Sequence, residues 1–179
     1  MGGFHSRIGM TSCLIAMACA AAPATAQRLS VGLEGGGTST DDRRGLQPGF
    51  GLSLMWPMGD RFAGALSYSQ WFPDGPEPPH APLGTIGKRG LTLSALLRAA
   101  QSERILWLIG GGFGQYERIV TIDDVTDRTY DGALTASTIF MVRLTERTAT
   151  YIKGELSTPT GDWDARWGGI HIGLALPLF

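Results

Sequence analysis

The residues able to do chemistry are few, and they stand far apart in the chain. Histidine occurs three times, at His5, His80 and His171, and cysteine twice, at Cys13 and Cys19. His80 sits in the stretch PDGPEPPHAPLG, whose prolines describe a stiff exposed tip. His171 lies in WGGIHIGLALPLF and is the only histidine within a strand-like stretch. Asp123, Asp124 and Asp127 put three acids within five residues, enough oxygen to hold a divalent cation, but without EF-hand spacing, and such runs are ordinarily solvated loop tips. We therefore assign no catalytic, cofactor or metal site. What remains is a set of charges embedded in otherwise apolar or small-residue stretches: Glu34, Lys88, Arg98, Arg143, Lys153, Glu155 and His171.

The segments that hold these charges all have a two-residue period. In the last of them Ile170, Ile172, Leu174, Leu176 and Leu178 alternate with Gly169, His171, Gly173, Ala175 and Pro177, as in a strand with one apolar face. A strand left alone at the end of the chain would expose unpaired backbone groups, so it must close a sheet. Eight such segments can be counted: 28–35, 49–56, 61–71, 88–98, 104–116, 132–144, 149–156 and the terminal 167–179. Leu52 and Leu54 oppose Gly51 and Ser53, Leu91 and Leu93 oppose Thr92 and Ser94, and Leu134 and Phe140 oppose Thr135 and Met141. The fifth carries Gly110, Gly111, Gly112 and Gly114, which mark a bend, a bulge or a close approach of backbones. No helical stripe competes with these readings.

The N-terminus supplies a compartment. Residues 1–26 combine His5 and Arg7, an apolar run from Ile8 to Ala22, and Ala24-Thr25-Ala26, which fits a signal-peptidase site. The run is too short to span a bilayer comfortably. Cleavage leaves residues 27–179, one domain without a thiol or disulfide. A lipoprotein cut before Cys19 is the alternative, although Ala16-Met17-Ala18 lacks the usual aliphatic residue. A formal net charge of −1 argues against nucleic acid as a partner. No later segment reaches the roughly 20 apolar residues of a membrane helix, so any membrane crossing falls to strands.

The connections alternate in length. Pro57–Asp60, Ala99–Glu103 and Thr145–Thr148 are short, whereas Gly36–Pro48, Phe72–Gly87, Glu117–Asp131 and Ser157–Arg166 are long. The short turns repeat an acid–arginine pair, Asp60-Arg61, Glu103-Arg104 and Glu146-Arg147, with successive acids 43 residues apart. Tight turns on one side and long loops on the other are the asymmetry of an outer-membrane barrel with periplasmic termini.

With these features the chain resembles the small eight-stranded bacterial outer-membrane barrels, the group of OmpX and the OmpA membrane domain. The expected fold is all-β: an eight-stranded antiparallel up-and-down transmembrane barrel in residues 27–179, exported to the periplasm and placed in the outer membrane. The resemblance implies lipid, lipopolysaccharide and the barrel-assembly machinery as partners, and a structural or surface-interaction role for the long loops. It is one of architecture; Phe179 falls in phase with Pro177 and Ala175, not with the Ile170–Leu178 stripe as in the family's terminal signal. The His-x-Ser pair of the lipid A deacylase barrels is absent at His171.

Given a bilayer, each part acquires a direction. Trp56, Phe62, Trp107, Tyr151 and Phe179 fall near the short-turn ends, and Trp71, Phe72, Tyr116, Tyr130, Trp163 and Trp167 near the long-loop ends, which reads as two aromatic girdles. A cation facing mid-bilayer lipid costs about 2–4 kcal/mol, so the seven embedded charges are expected to face the lumen and pair there. A lumen of eight strands is filled by its own side chains, which favours a plugged interior over an ion path. Two alternatives stand: a small channel, and a soluble lipocalin-like periplasmic barrel with its apolar faces turned inward.

Overall fold

Alternation of large apolar with small or polar residues produces a single antiparallel sheet that closes on itself. A computed structural model describes residues 29–40, 46–74, 84–122, 125–161 and 166–177. Its strands are β1 (Ser30–Thr40), β2 (Gln47–Met58), β3 (Phe62–Asp74), β4 (Gly84–Gln101), β5 (Ile105–Ile122), β6 (Val125–Arg143), β7 (Ala149–Pro159) and β8 (Trp167–Pro177). Each pairs with the next in sequence, and β8 pairs with β1 from Ser30↔Pro177 to Thr40↔Trp167, so the barrel has no free edge around its girth. The eight expected strands are present. The expected signal peptide and the residues Trp163, Phe179 and His80 lie outside the described residues.

The three turns expected to be short are short. The β2–β3 turn contains Gly59 at φ 82°, a left-handed conformation that only glycine adopts cheaply. At β4–β5 the Ile105 amide donates to Ser102 Oγ at 3.1 Å, and at β6–β7 the hydroxyls of Thr145 and Thr148 lie 2.8 Å apart.

The opposite end departs from expectation. Glu117–Asp131, read as a loop, is almost all strand: β5 runs on to Ile122, β6 starts at Val125, and the ladder between them extends to Ile122↔Val125. Outside a bilayer both faces of a hairpin meet water, so the apolar alternation lapses while Val, Ile, Thr and Tyr still favour extended backbone. β4, β5 and β6 therefore hold 18, 18 and 19 residues against 11 in each of β1, β7 and β8. β7 ends with Pro159 opposite Ala133, and β6 continues past it for a further eight residues.

Glycine lets the β5 wall lie close against β4. A methyl group on Gly110 would overlap the carbonyl oxygen of Ala95, a backbone atom that cannot rotate away.

Candidate functional site

The outer wall and the lumen have opposite chemistry. Outward positions carry aliphatic and aromatic side chains that are open to their surroundings: Leu33, Leu134, Leu156 and Ile170 are 60–69% exposed. A soluble barrel would bury that belt, whereas here the buried inward positions include Ser, Thr, Glu, Lys and His. The lipocalin-like alternative is thus excluded by the direction of the faces, because a continuous exposed apolar belt is stable only against lipid.

The lumen is built in three layers. At the short-turn end Met55, Leu96, Leu108 and Ile139 pack with Ala63, Ala65, Tyr151 and Ala175 into a dry apolar plug. In the middle, Lys153 Nζ donates to Glu34 Oε1 at 2.8 Å and lies 3.1 Å from Glu155 Oε2. Tyr151 donates its hydroxyl to Glu34 Oε2 at 3.0 Å, and the Ser53 hydroxyl is 3.3 Å from that of Tyr151. His171 packs against the same carboxylate, with Nδ1 3.9 Å from Glu34 Oε1. Glu34, Lys153, Glu155 and His171 come from β1, β7 and β8, the strands around the closing seam.

Above them a hydroxyl chain runs around the wall: Thr92 to the Tyr116 hydroxyl at 2.7 Å, Tyr116 to Thr135 at 3.5 Å, and Thr135 to Ser157 at 2.9 Å. Tyr116 then enters the third layer with Trp71, Trp167 and Ala133. The rings of Tyr116 and Trp167 meet edge-on with centroids 4.9 Å apart. Lys88 Nζ stands 3.7 Å from the Trp167 ring centroid and 4.8 Å from that of Trp71, so its charge sits against two indole faces.

The expected residues divide as follows. Glu34, Lys153, Glu155 and His171 meet in one network. Lys88 is buried in the lumen too, but in the aromatic layer rather than against those carboxylates. Arg98 and Arg143 do not join them: both close the short-turn rim, where Arg143 is exposed and Arg98 Nη1 donates to Gln101. They keep inward phase, but at the last residues of the wall a long side chain reaches water.

The girdle reading needs correction at four positions. Trp71, Tyr116 and Trp167, at 1–3% exposure, point into the lumen, and Tyr151 does as well. Alternation decides this: Trp167 has the parity of His171, and Trp71 that of Ser69, both inward. Methylation of Gly90 would strike the Tyr116 ring, so that glycine makes room for it. Trp56, Trp107 and Tyr130 do face outward, Trp107 Nε1 donating to Thr138 at 2.9 Å. At the long-connection end the outer wall also carries Phe50 and Phe72, with ring centroids 5.8 Å apart, and Tyr68.

A second polar cluster, not foreseen, lies on the outer face. Gln70, Arg89, Glu117 and Tyr130 form one cross-strand row on β3, β4, β5 and β6. Glu117 accepts from Arg89 Nε, from the Tyr130 hydroxyl at 3.0 Å and from Arg128 Nη1 at 3.4 Å, and Tyr68 donates to Gln70 at 3.0 Å. Glu117 and Arg128 fell within a stretch read as loop, which hid their cross-strand pairing.

Solved structures carry the same architecture. Neisserial surface protein A superposes with a TM-score of 0.64 at 12% identity, over 88% of this chain and all of that one. The chain folds as a small outer-membrane β-barrel. Other such barrels that it matches are the N-terminal barrel domain of Pseudomonas aeruginosa OprF (TM-score 0.60, 14% identity, 84% of this chain and 99% of that one) and Yersinia pestis Ail, the attachment invasion locus protein (0.58, 15%, 84% and 96%). No protein-family model and no curated protein sequence matches the chain. In outer-membrane barrels of this architecture the short turns lie on the periplasmic side, the taller end faces out of the cell, and an exposed aliphatic belt meets lipid.

Proposed function

We propose that this protein is a non-catalytic outer-membrane anchor with a sealed lumen, which presents its protruding sheet to a partner outside the cell. The observation that carries the reading is the unequal height of neighbouring strands. β7 stops at Pro159 while β6 continues, so among the described residues Val125–Asp131 is paired with β5 on one side and has no strand on the other. Such an edge offers alternating backbone donors and acceptors to an extended segment of another chain. Neighbouring folds support a role at the surface: Ail has been crystallised in complex with the heparin analogue sucrose octasulfate. The two plugs of the lumen support an anchor over a channel.

The test is to shorten the sheet without touching the barrel. Removal of Val120–Asp127 leaves Ile119 opposite Arg128, a pair that an Asn-Gly turn can close. The full chain and the shortened protein are both expected to reach the outer-membrane fraction with a band whose gel mobility shifts on boiling, and only the full chain to support adhesion of expressing cells to host-cell layers and to immobilised heparin. Undiminished adhesion by a correctly folded shortened barrel would remove the proposal.

A further inference from the structure

The outward ladder of Arg89, Glu117 and Arg128 has no part in sealing the lumen, and its position assigns it another task. Glu117 stands twelve residues along β5 from Ile105. At a rise of about 3.3 Å per residue and a tilt of about 40°, that places it roughly 30 Å above the periplasmic rim, just past the roughly 25 Å apolar band of such barrels. Below it on the same face Leu91 and Gln115 form the next row and Phe113 and Leu134 the row after, with Leu91, Phe113 and Leu134 at 37%, 51% and 60% exposure. The ladder is therefore at the depth of the outer-leaflet headgroups.

Its charge is unbalanced by construction. Two guanidiniums share one carboxylate, and Tyr130 supplies a third donor to that same group, so Arg89, Arg128 and Glu117 together keep one net positive charge. Arg89 engages Glu117 through Nε, which leaves its two Nη groups on the outer surface; its side chain is 43% exposed and that of Arg128 56%. The carboxylate fixes both guanidiniums on the outer face, Arg89 through Nε and Arg128 through Nη1, and planar guanidiniums match the oxygens of a phosphate. A cation on the outer wall costs little at this depth, unlike at mid-bilayer.

We infer that Arg89 and Arg128, held by Glu117, bind the phosphate of an outer-leaflet lipid headgroup whose acyl chains lie on Leu91, Phe113 and Leu134. The tethered source is favoured over free phosphate because the site stands directly on the apolar belt.

The test uses the full barrel folded in phosphatidylcholine nanodiscs carrying a minor fraction of lipid A or phosphatidylglycerol, with lipid retained on release from the disc counted by native mass spectrometry. The wild-type barrel is expected to enrich the phosphate-bearing anionic lipid about tenfold over the disc composition, and Arg89→Gln/Arg128→Gln to abolish that enrichment. Arg98→Gln/Arg143→Gln, which removes the same charge at the periplasmic rim, is expected to leave it unchanged. Each variant is first shown to fold by its heat-dependent gel mobility. Equal enrichment in the ladder variant and the wild type overturns the inference, as does equal loss in the rim variant. Displacement of the retained lipid by millimolar inorganic phosphate also overturns it, since the ladder would then be a free-anion site.

Discussion

Lys153 on β7 donates to Glu34 on β1 at 2.8 Å, reaching over β8, the strand that lies between them. The contact therefore ties together three strands around the seam where the two ends of the chain meet. The ammonium also serves Glu155, so the two partners are not equivalent. Removing Glu34 leaves Lys153 one carboxylate; removing Lys153 leaves two buried carboxylates without their cation. Lys153→Met is expected to destabilise the barrel by about 3–5 kcal/mol and Glu34→Gln by less, because stranding a buried charge is the costly event. Urea unfolding in lipid vesicles, followed by tryptophan fluorescence, ranks the two, and the reverse order would discredit the shared-ammonium reading.

The lumen is closed twice, by Trp71, Tyr116 and Trp167 above and by Met55, Leu96, Leu108 and Ile139 below. Planar-bilayer recordings of the wild type are expected to be silent. Trp71→Ala/Trp167→Ala is expected to stay silent as well, since the lower plug survives it. Steady ohmic steps from that variant would show that the aromatic layer is the sole barrier.

Glu117 carries a pH dependence of known sign. Burial raises its carboxyl pKa, but the hydrogen bonds from Arg89 and Tyr130 and the charges of Arg89 and Arg128 outweigh that and hold it below the ordinary glutamate value. Since the folded pKa lies below that of the unfolded chain, near 4.3, the stabilisation is complete at neutral pH and disappears as pH falls through the folded value. The difference in unfolding midpoint between wild type and Glu117→Gln should hence shrink as pH drops below about 4. A difference that stays constant down to pH 2 would mean that the carboxylate charge is not its source.

Glycines in the wall are not equivalent. An added methyl at Gly35 meets only the Gly49 carbonyl at 3.9 Å, an ordinary contact, whereas at Gly110 it collides with the Ala95 carbonyl. Gly35→Ala is expected to change stability by no more than about 0.5 kcal/mol. Gly110→Ala is expected to cost about 1–3 kcal/mol, the range of overpacking against atoms that cannot yield. Refolding yield into detergent, read as the fraction of heat-shifted band, provides a second check on the same pair.

Alternation marked the eight strands, the alternating connection lengths their up-and-down order, and the cost of a charge in lipid the inward facing of Glu34, Lys153, Glu155 and His171. Strand and facing follow from a two-residue alternation whose face is chosen by the surroundings of the strand, and a local pattern carries that information. The same alternation held the correct facing of Trp71 and Trp167, through the parity of Ser69 and His171, but residue type and position near a loop were given more weight than phase. Tall β5 and β6 were hidden for a different reason: beyond the bilayer neither face of the hairpin has to be apolar, so the period that marks a strand disappears where the strand does not.

By itself the sequence determined a closed eight-stranded wall with lipid on one side and a polar interior, since that choice rests on local alternation and on turn lengths. Only the tertiary structure decided which charges meet. Strand register sets Lys153 within reach of Glu34 and Arg89 beside Glu117, and register follows from the pairing of segments far apart in the chain, which no short stretch of residues encodes.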